Sequence, residues 1–433
     1  MTAYSAKPLI HHLSHLFPLN RSLTGVGTEA TLSYFESYFS QFKRLRFTSG
    51  TPVLDWEIPP YWSIRNAYIQ HLDTGLKFAD FNINNLHVVG YSTPIQEVLP
   101  LEKLKKNIYS LPDKPYWIPY VTSYYDRDWG FCLPHVTLSS LPPGDYLVHI
   151  DSDFTTGDLH VSHAVLAGQI PQEVFFSSYV CHPSMANNEL SGPVLLAKLL
   201  DYISNAYPNP RYSYRFVLLP ETIGSIAYLS KYGEHLRKHC VAGFNLSCVG
   251  DDNMHSILHS PFNNTLADYA LNSACTNLST QTIHYSYLSR GSDERQYCSP
   301  SFRLPLCNYS RSLFGNYPEY HTSADNLLCV SERGLQSSFL VLKSIIDAFE
   351  LGLYPYSLVS CEPQLGKRGL YKRRFTSNSA DVSSRRLLDI LAYCDGTQTI
   401  FEIALVSQLP LGSVVDALST LLVENIIAFK HCQ

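Results

Sequence analysis

SSYVCHPSMANNELSGP, residues 177–193, is the stretch on which the reading of this chain turns. It follows EVFF (173–176), an apolar run of the kind found in strands buried on both faces. It runs into SGPVLLAKLLDYISNA (191–206), where apolar residues recur at helical spacing. His182 and Glu189 stand between strand and helix, beside Asn187 and Asn188, with almost no other charge around them. Loops at the carboxyl ends of strands are where open α/β sheets carry their sites.

The alternation continues on both sides. From Gly157 onward, DLHVSHAVLAG (158–168), YSYRFVLLP (212–220), VAGFNLSCVG (241–250) and FRLPLCNYS (302–310) read as strands. SIAYLSKYGEHLRKH (225–239), NNTLADYALNSACTN (263–277) and ERGLQSSFLVLKSIIDAFEL (332–351) read as helices. Continuous apolar strands alternating with helices predict an α/β sheet covered on both faces. Residues 1–45 read as two amphipathic helices, SAKPLIHHLSHLFPL and TGVGTEATLSYFESYFSQF, joined through the polar loop NRSLTG. His11, His12 and His15 have no carboxylate nearby in sequence and are read as surface or packing residues.

Two regions depart from this pattern. In 46–150, VLDWEIPPYWSIRNAYIQ, LHVVGYSTPIQEVLP, YWIPYVTSYYDRDWGFCLP and GDYLVHIDSDF are β-branched, aromatic and punctuated by Pro, Gly and Asp. They predict a mostly β module. After residue 360, the basic connector CEPQLGKRGLYKRRF leads to SSRRLLDILAYCDG, TIFEIALVSQL and PLGSVVDALSTLLVENIIAF. Three short helices and a terminal strand suit a winged helix. The expected division is 1–45 with 151–360, then 46–150, then 361–433.

A chain of 433 residues exceeds one simple core. With 45% apolar and 16% charged residues it is globular, and its net charge of −5 has no basic half to serve a general nucleic-acid or membrane-surface binder. The 30 Tyr and 21 Phe suit sheets and lined pockets. Eleven Cys without a CxxC pair read as reduced, mostly buried thiols. Neither a signal peptide nor a membrane span is seen, so the expectation is a soluble, cytoplasmic protein. A homo-oligomer is compatible with the sequence.

Four loop motifs carry the chemistry. They are the opening one, with His182 and Glu189; VLLPETIGS, with Glu221 at a strand end; LSRGSDERQY, with Asp293, Glu294 and Arg295; and YPEYHTSADN, with His321. Neutral imidazole and carboxylate suit Zn²⁺, and a catalytic zinc keeps a position open for water. His182, Glu189 and His321 supply two nitrogens and an oxygen, and Glu221 is a general base or a further ligand. Arg295 either binds a substrate carboxylate or pairs with the adjacent acids.

The motif order resembles the zinc-dependent exopeptidase superfamily of aminopeptidase-type α/β fold. ANNELSG, PETIGS, FNLSCVG, GSDERQY and YHTSADN occur here in the order of that family's motifs, over roughly 157–350. Nearly the whole chain is similar to a narrower group, the bacterial aminopeptidase-like proteins found with polysaccharide-biosynthesis genes. NRSLTG, DWEIPPYWSIRNAYI, IPYVTSYYDRDWGFCL, CHPSMANNELSG and PEYHTSADN carry that likeness. The resemblance implies a zinc-exopeptidase-like mixed sheet sandwiched by helices, with an inserted mostly-β domain and a C-terminal winged helix.

The chain departs from the family's pattern in its acids. Two-zinc aminopeptidases place a bridging Asp where Asn188 stands, an Asp at Ser247, and paired Glu where this chain has Pro220 and Glu221. Two close Zn²⁺ ions need anionic oxygens between them, so the resemblance with these losses implies one ion. It would be held by His182, Glu189 and His321, with Glu221 as general base; Asp251 and Asp252 are weaker substitutes for the lost acid.

Three functions are weighed. The first is a metal-dependent hydrolase of a peptide, an aminoacyl conjugate or an amide on a modified sugar. The second is a catalytically degenerate binding or scaffold protein that uses the β and winged-helix domains. The third, a DNA-binding regulator, is disfavoured because the second and third helices of the winged helix carry no Lys or Arg to meet phosphates.

Overall fold

The computed structural model describes residues 4–276, 278, 281–370 and 382–430. Its central sheet has eight strands: β1 (Lys43–Thr48), β2 (Asp158–Leu166), β3 (Glu173–Tyr179), β4 (Ser213–Leu219), β5 (Cys240–Leu246), β6 (His255–Leu258), β7 (Thr282–Tyr285) and β8 (Leu306–Ser310). Their order across the sheet is β1-β2-β4-β3-β5-β8-β6-β7. The middle of the sheet, β4-β3-β5-β8, is parallel, as is the edge pair β6-β7. The β1-β2, β2-β4 and β6-β8 pairs are antiparallel. The sheet is therefore mixed.

β3 lies between two parallel neighbours and every one of its residues is buried, which explains its unbroken apolar run. Successive side chains enter opposite layers. Phe176 joins Phe216 of β4 and Phe244 of β5, with ring centroids 5.3 Å apart in both pairs, in a core under helices α1 (Leu9–Leu16), α3 (Ser191–Ala206), α5 (Leu266–Cys275) and α6 (Glu332–Leu351). Phe175 faces the other core, under α4 (Ile223–His239). Helix α2 (Val26–Tyr38) packs on β2. Gly192 in the first turn of α3 is required by space: a Cβ there would lie 2.3 Å from Ser178 Oγ and 2.4 Å from Leu246 O. The helix thus starts against the ends of β3 and β5, holding the 182–190 turn over the sheet.

A four-stranded antiparallel sheet follows the order Lys77–Phe78, Tyr61–His71, Asp145–Thr155, Ile95–Pro100, with its own apolar core around Ile69, Phe131, Tyr146 and Val148. Its strand Asp145–Thr155 runs past residue 150, and β1 spans residue 45, so both expected boundaries of the β module fall inside strands. YWIPYVTSYYDRDWGFCLP, expected as strand, is strand only at Phe131–Cys132. The rest is an irregular arm whose backbone bonds partly to Val89, Gly90 and Thr93 of its own module and partly to a loop of the other module. Ser323 N donates to Ile118 O at 2.8 Å, and Tyr120 N donates to His321 O at 2.8 Å.

At the C-terminal end, α7 (Val382–Leu391), α8 (Ile400–Ser407) and α9 (Leu411–Val423) are followed by strand Ile427–Phe429, which pairs antiparallel with Pro355–Ser357. Thr399 and Glu402 form a capping box that starts α8. Helix α8 packs on α5 and α9 on α6, and the core is continuous with that of the central sheet, with Phe401 5.3 Å from Phe349 between ring centroids. The end of the basic connector, residues 371–375, lies outside the described residues. No single helix among the described residues is long and apolar enough to cross a membrane. All the described cysteines are free, and most are buried. His12 is a packing residue, stacked on Tyr4 at 3.8 Å and bonded through Nδ1 to Tyr34 Oη at 2.6 Å.

Candidate active site

The 182–190 turn is pinned from two directions. The Asp325 carboxylate accepts from Asn187 N at 2.7 Å and Asn188 N at 3.0 Å. Burial lifts Asp325 to about 6 against the pull of those N–H donors. From the segment after β5, Gly250 N donates to Asn187 Oδ1 at 2.9 Å, and Asp251 Oδ2 accepts from Asn187 Nδ2 at 2.8 Å. Asp251 is thus an anchor for the turn, and Asp252 pairs with Arg333 at 3.0 Å outside it. Both of the weaker substitutes read from the sequence are thus engaged with partners other than His182 and Glu189.

Within the turn, His182 Nδ1 meets Glu189 Oε1 in a buried ion pair, and Glu189 Oε2 accepts from Cys181 N at 2.7 Å. Nε2 of the same ring faces Glu221 Oε2 at 3.9 Å. Burial opposes charge on His182, but the Glu189 carboxylate prevails and raises its pKa above the ordinary value. Behind the pair lies Arg21, fully buried. Its Nε donates to His182 O at 3.1 Å and one Nη to Leu16 O at 2.6 Å. Burial lowers its pKa to about 10, opposed by Glu189.

His321 approaches from the loop before α6 with φ 54°, in the left-handed region that a non-glycine residue seldom adopts. Its ring centroid is 5.1 Å from that of His182. Tyr320 stacks on it at 3.9 Å, and Tyr120, from the arm of the β module, covers both imidazoles at 4.6 and 5.0 Å. His321 Nε2 is buried without a hydrogen-bond partner. Burial and the neighbouring His182 push its pKa down to about 2, so the ring is neutral.

Glu221 enters at the end of β4, its N–H on Cys181 Sγ at 3.2 Å. Burial raises its pKa, His182 pulls it down and Glu189 raises it again, with a net rise. Asp293 Oδ1 accepts from Thr222 N at 2.8 Å and Ser225 Oγ at 2.7 Å, while Oδ2 is buried and unpartnered. Burial, then Glu221, lifts Asp293 to about 8. Glu294 turns away to cap its own loop, accepting from Gly291 N at 2.8 Å and Ser292 N at 3.0 Å. Arg295 is exposed and donates to Thr222 Oγ1 at 2.6 Å.

The structure therefore gathers His182, Glu189, Glu221 and His321, with Asp293 and Arg295 at their side; Glu294 is bound into its own loop. Among the described residues, Cys181, His182 and Glu189 bring three metal-capable atoms within 4.8 Å of one another, and His321 lies outside that group. An orphaned, neutral imidazole nitrogen beside a second imidazole and carboxylates is a donor set that fits zinc. The two neutral replacements are occupied: Asn188 Oδ1 accepts from Tyr179 Oη at 2.8 Å, and Ser247 Oγ donates to Asn308 Oδ1 at 3.2 Å. Arg21, Tyr120 and Asp325 carry no site signal in the sequence. NRSLTG and YHTSADN contain two of them, but only the fold brings them to His182.

A mixed sheet sandwiched by helices, with a histidine–carboxylate cluster at the carboxyl ends of its strands and a C-terminal winged helix, defines an aminopeptidase-like α/β protein. Residues 10–352 match a family described as a domain of unknown function (DUF4910), and the chain belongs to that family. Residues 354–429 match the winged helix-turn-helix family. A Clostridium acetobutylicum protein, named for polysaccharide biosynthesis and for an aminopeptidase-like domain, is 34% identical over 397 residues, covering 90% of this chain and 89% of its own. A crystal structure from C. acetobutylicum, named as a peptidase, has a TM-score of 0.89 at 32% identity, covering 98% of this chain and 96% of that one. A zinc aminopeptidase from Bacillus subtilis has a TM-score of 0.56 at 13% identity, covering 80% and 95%, and shares the fold alone.

Proposed function

We propose that the chain is a metal-dependent hydrolase of an amide bond, aminopeptidase-like, working with a single divalent ion, zinc by its donor set. The observation that carries this reading is the neighbouring pair His182 and His321, ring centroids 5.1 Å apart, with Glu221 at 3.9 Å from His182 Nε2 and His321 Nε2 left without a protein partner. His182, through Nε2, and His321 would hold the ion. Glu189, expected as the third ligand, occupies the opposite nitrogen of His182. We assign it to orienting that ring, as carboxylates behind ligating histidines do. When bound, the ion supplies polarisation of the scissile carbonyl and a lowered pKa for water.

Glu221 takes the proton from the attacking water and returns it to the leaving nitrogen. Tyr120 closes one side of the imidazole pair and limits water there. Arg295, exposed at the rim, receives an anionic end of the substrate. That substrate is a small peptide, an aminoacyl conjugate or an amide on a modified sugar, the last favoured by the name of the C. acetobutylicum relative. The winged helix serves a structural role, because α8 and α9 carry no Lys or Arg and pack on α5 and α6. The division into an α/β body (1–45 and 151–360), a β module (46–150) and a winged helix (361–433) is kept as a proposal, with the strand boundaries noted above.

Metal content of the purified chain, followed by turnover on a panel of aminoacyl anilides, tests the reading. One ion per chain and metal-dependent turnover are expected. The neutral, occupied side chains of Asn188 and Ser247 favour a second reading, a non-catalytic binding protein. Absence of both metal and turnover would establish it instead.

A further inference from the structure

A second histidine pair lies at the far edge of the central sheet. β6 ends at Leu258, His259 follows it, and His284 lies in the edge strand β7, paired with Ile257. His259 N donates to Tyr285 O at 3.0 Å, so the two chains stay paired at this point. His259 Nε2 and His284 Nδ1 are 3.0 Å apart. The rings are nearly coplanar, at 9°, with centroids 5.3 Å apart, so the nitrogens meet edge to edge.

The inner ring is held from behind. His259 Nδ1 donates to Asp268 Oδ1 at 2.8 Å. Asp268 is buried and also accepts from Ser260 N and Oγ at 3.1 and 2.5 Å, and from Thr265 N and Oγ1 at 2.9 and 2.7 Å. A carboxylate with that many donors stays ionised and keeps the proton on His259 Nδ1. The lone pair of Nε2 is therefore fixed in the direction of His284, whose ring is exposed to solvent. A buried carboxylate setting the tautomer of an outward-facing imidazole is the support that metal-ligating histidines need.

We propose that His259 and His284 form a second metal site, a two-imidazole seat for a borderline transition ion such as Zn²⁺, Ni²⁺ or Cu²⁺, with Asp268 as its orienting carboxylate. Two Zn–N bonds of about 2.0–2.1 Å at a tetrahedral angle set the nitrogens about 3.3 Å apart, so the head-on contact at 3.0 Å opens and the exposed His284 ring turns to aim its lone pair at the ion. His284 moves its proton to its other nitrogen, and the remaining positions of the ion go to water. Imidazole donors exclude Mg²⁺ and Ca²⁺, which take oxygen. A bound ion ties the end of β6 to the edge strand. The chain leaving that strand leads through Tyr287–Ser289 to Asp293 beside Glu221, so occupancy steadies the approach to the candidate active site.

The site is tested on the tag-free full chain, stripped with chelator and titrated with ZnCl₂ and NiCl₂ by calorimetry and with CuCl₂ by electron paramagnetic resonance. His284→Ala, an exposed change, is compared with the parent. The same comparison is made in a His182→Ala/His321→Ala background, where the candidate active site does not contribute. Expected are one ion fewer per chain in His284→Ala, or an affinity at least tenfold weaker, and loss of one nitrogen coupling from the Cu²⁺ spectrum. Unchanged stoichiometry, affinity and spectrum in His284→Ala would overturn the proposal. Should the double variant not fold, the stoichiometry difference between the parent and His284→Ala alone decides.

Discussion

Glu189 grips His182 on Nδ1, the side of the ring that faces away from Glu221. The two carboxylates therefore address opposite nitrogens of one imidazole, whose ring centroid is 5.1 Å from that of His321. Replacing them should give different phenotypes. Glu189→Gln is expected to lower metal affinity about 10–100-fold, as loss of an orienting partner does. Glu221→Gln should retain the ion and lose turnover about 10²-fold or more. Metal analysis after dialysis, paired with single-substrate kinetics, checks both. Loss of metal from Glu221→Gln with retention in Glu189→Gln would reverse the assignment.

Tyr120 reaches the site from the β module and lies over both imidazoles. Tyr120→Phe keeps that ring and is expected to change kcat/KM less than about threefold. Tyr120→Ala opens the site to water and should lower kcat/KM about tenfold, a loss of about 1.4 kcal/mol that lies within the range of about 0.5–1.5 kcal/mol for one aromatic contact. Equal activity in the two variants would show that the ring has no part in the reaction.

Phe401 of the winged helix packs on Phe349 of α6 inside one continuous core. Phe401→Ala should destabilise the chain by about 3–5 kcal/mol. Because the core is shared, the winged helix should melt together with the body. Calorimetry checks this: two separate transitions in the parent chain would show that the winged helix is an independent unit.

His255 is buried between Tyr309, whose Oη is 2.8 Å from Nδ1, and the Arg311 guanidinium, 3.3 Å from Nε2. Burial, reinforced by Arg311, lowers its pKa to about 4. Below the ordinary histidine value of 6.5 the unfolded chain binds a proton that the folded chain refuses. Stability present above pH 6.5 is therefore lost as pH falls from 6.5 toward 4. His12 and His163, also lowered to about 4 mainly by burial, act in the same direction. Asp293 and Asp325, raised to about 8 and about 6, act in the opposite direction in parent and variant alike, so the urea midpoint should fall more, or rise less, from pH 7 to pH 5 in the parent than in His255→Gln. The same pH dependence in the parent and in His255→Gln would contradict the assignment of the His255 ring as neutral.

Much of the fold is legible in the chain. The unbroken apolar run of β3 and the helical spacing after Ser191 announce a covered parallel strand and its following helix, and the same signals recur through α6. The irregular arm at 116–130 was not legible, because its aromatic composition imitates strand while its hydrogen bonds go to His321 and Ser323 on one side and to Val89, Gly90 and Thr93 on the other. Arg21 was hidden for a related reason: its partner is the carbonyl of a residue 161 positions away.

By itself, the sequence determined the residue types and their places at strand ends: His182, Glu189, Glu221 and His321, with neutral Asn188 and Ser247 among them. Local periodicity and strand-end position are short-range properties, and a single chain displays them directly. Which nitrogen of His182 each carboxylate meets, that Glu294 turns away, and that Tyr120 covers the imidazoles were decided only by the tertiary structure. Those choices depend on side-chain direction and on contacts between residues far apart in the chain, such as Tyr120 and His321, set when the turn after β3, the arm of the β module and the loop before α6 pack against one another.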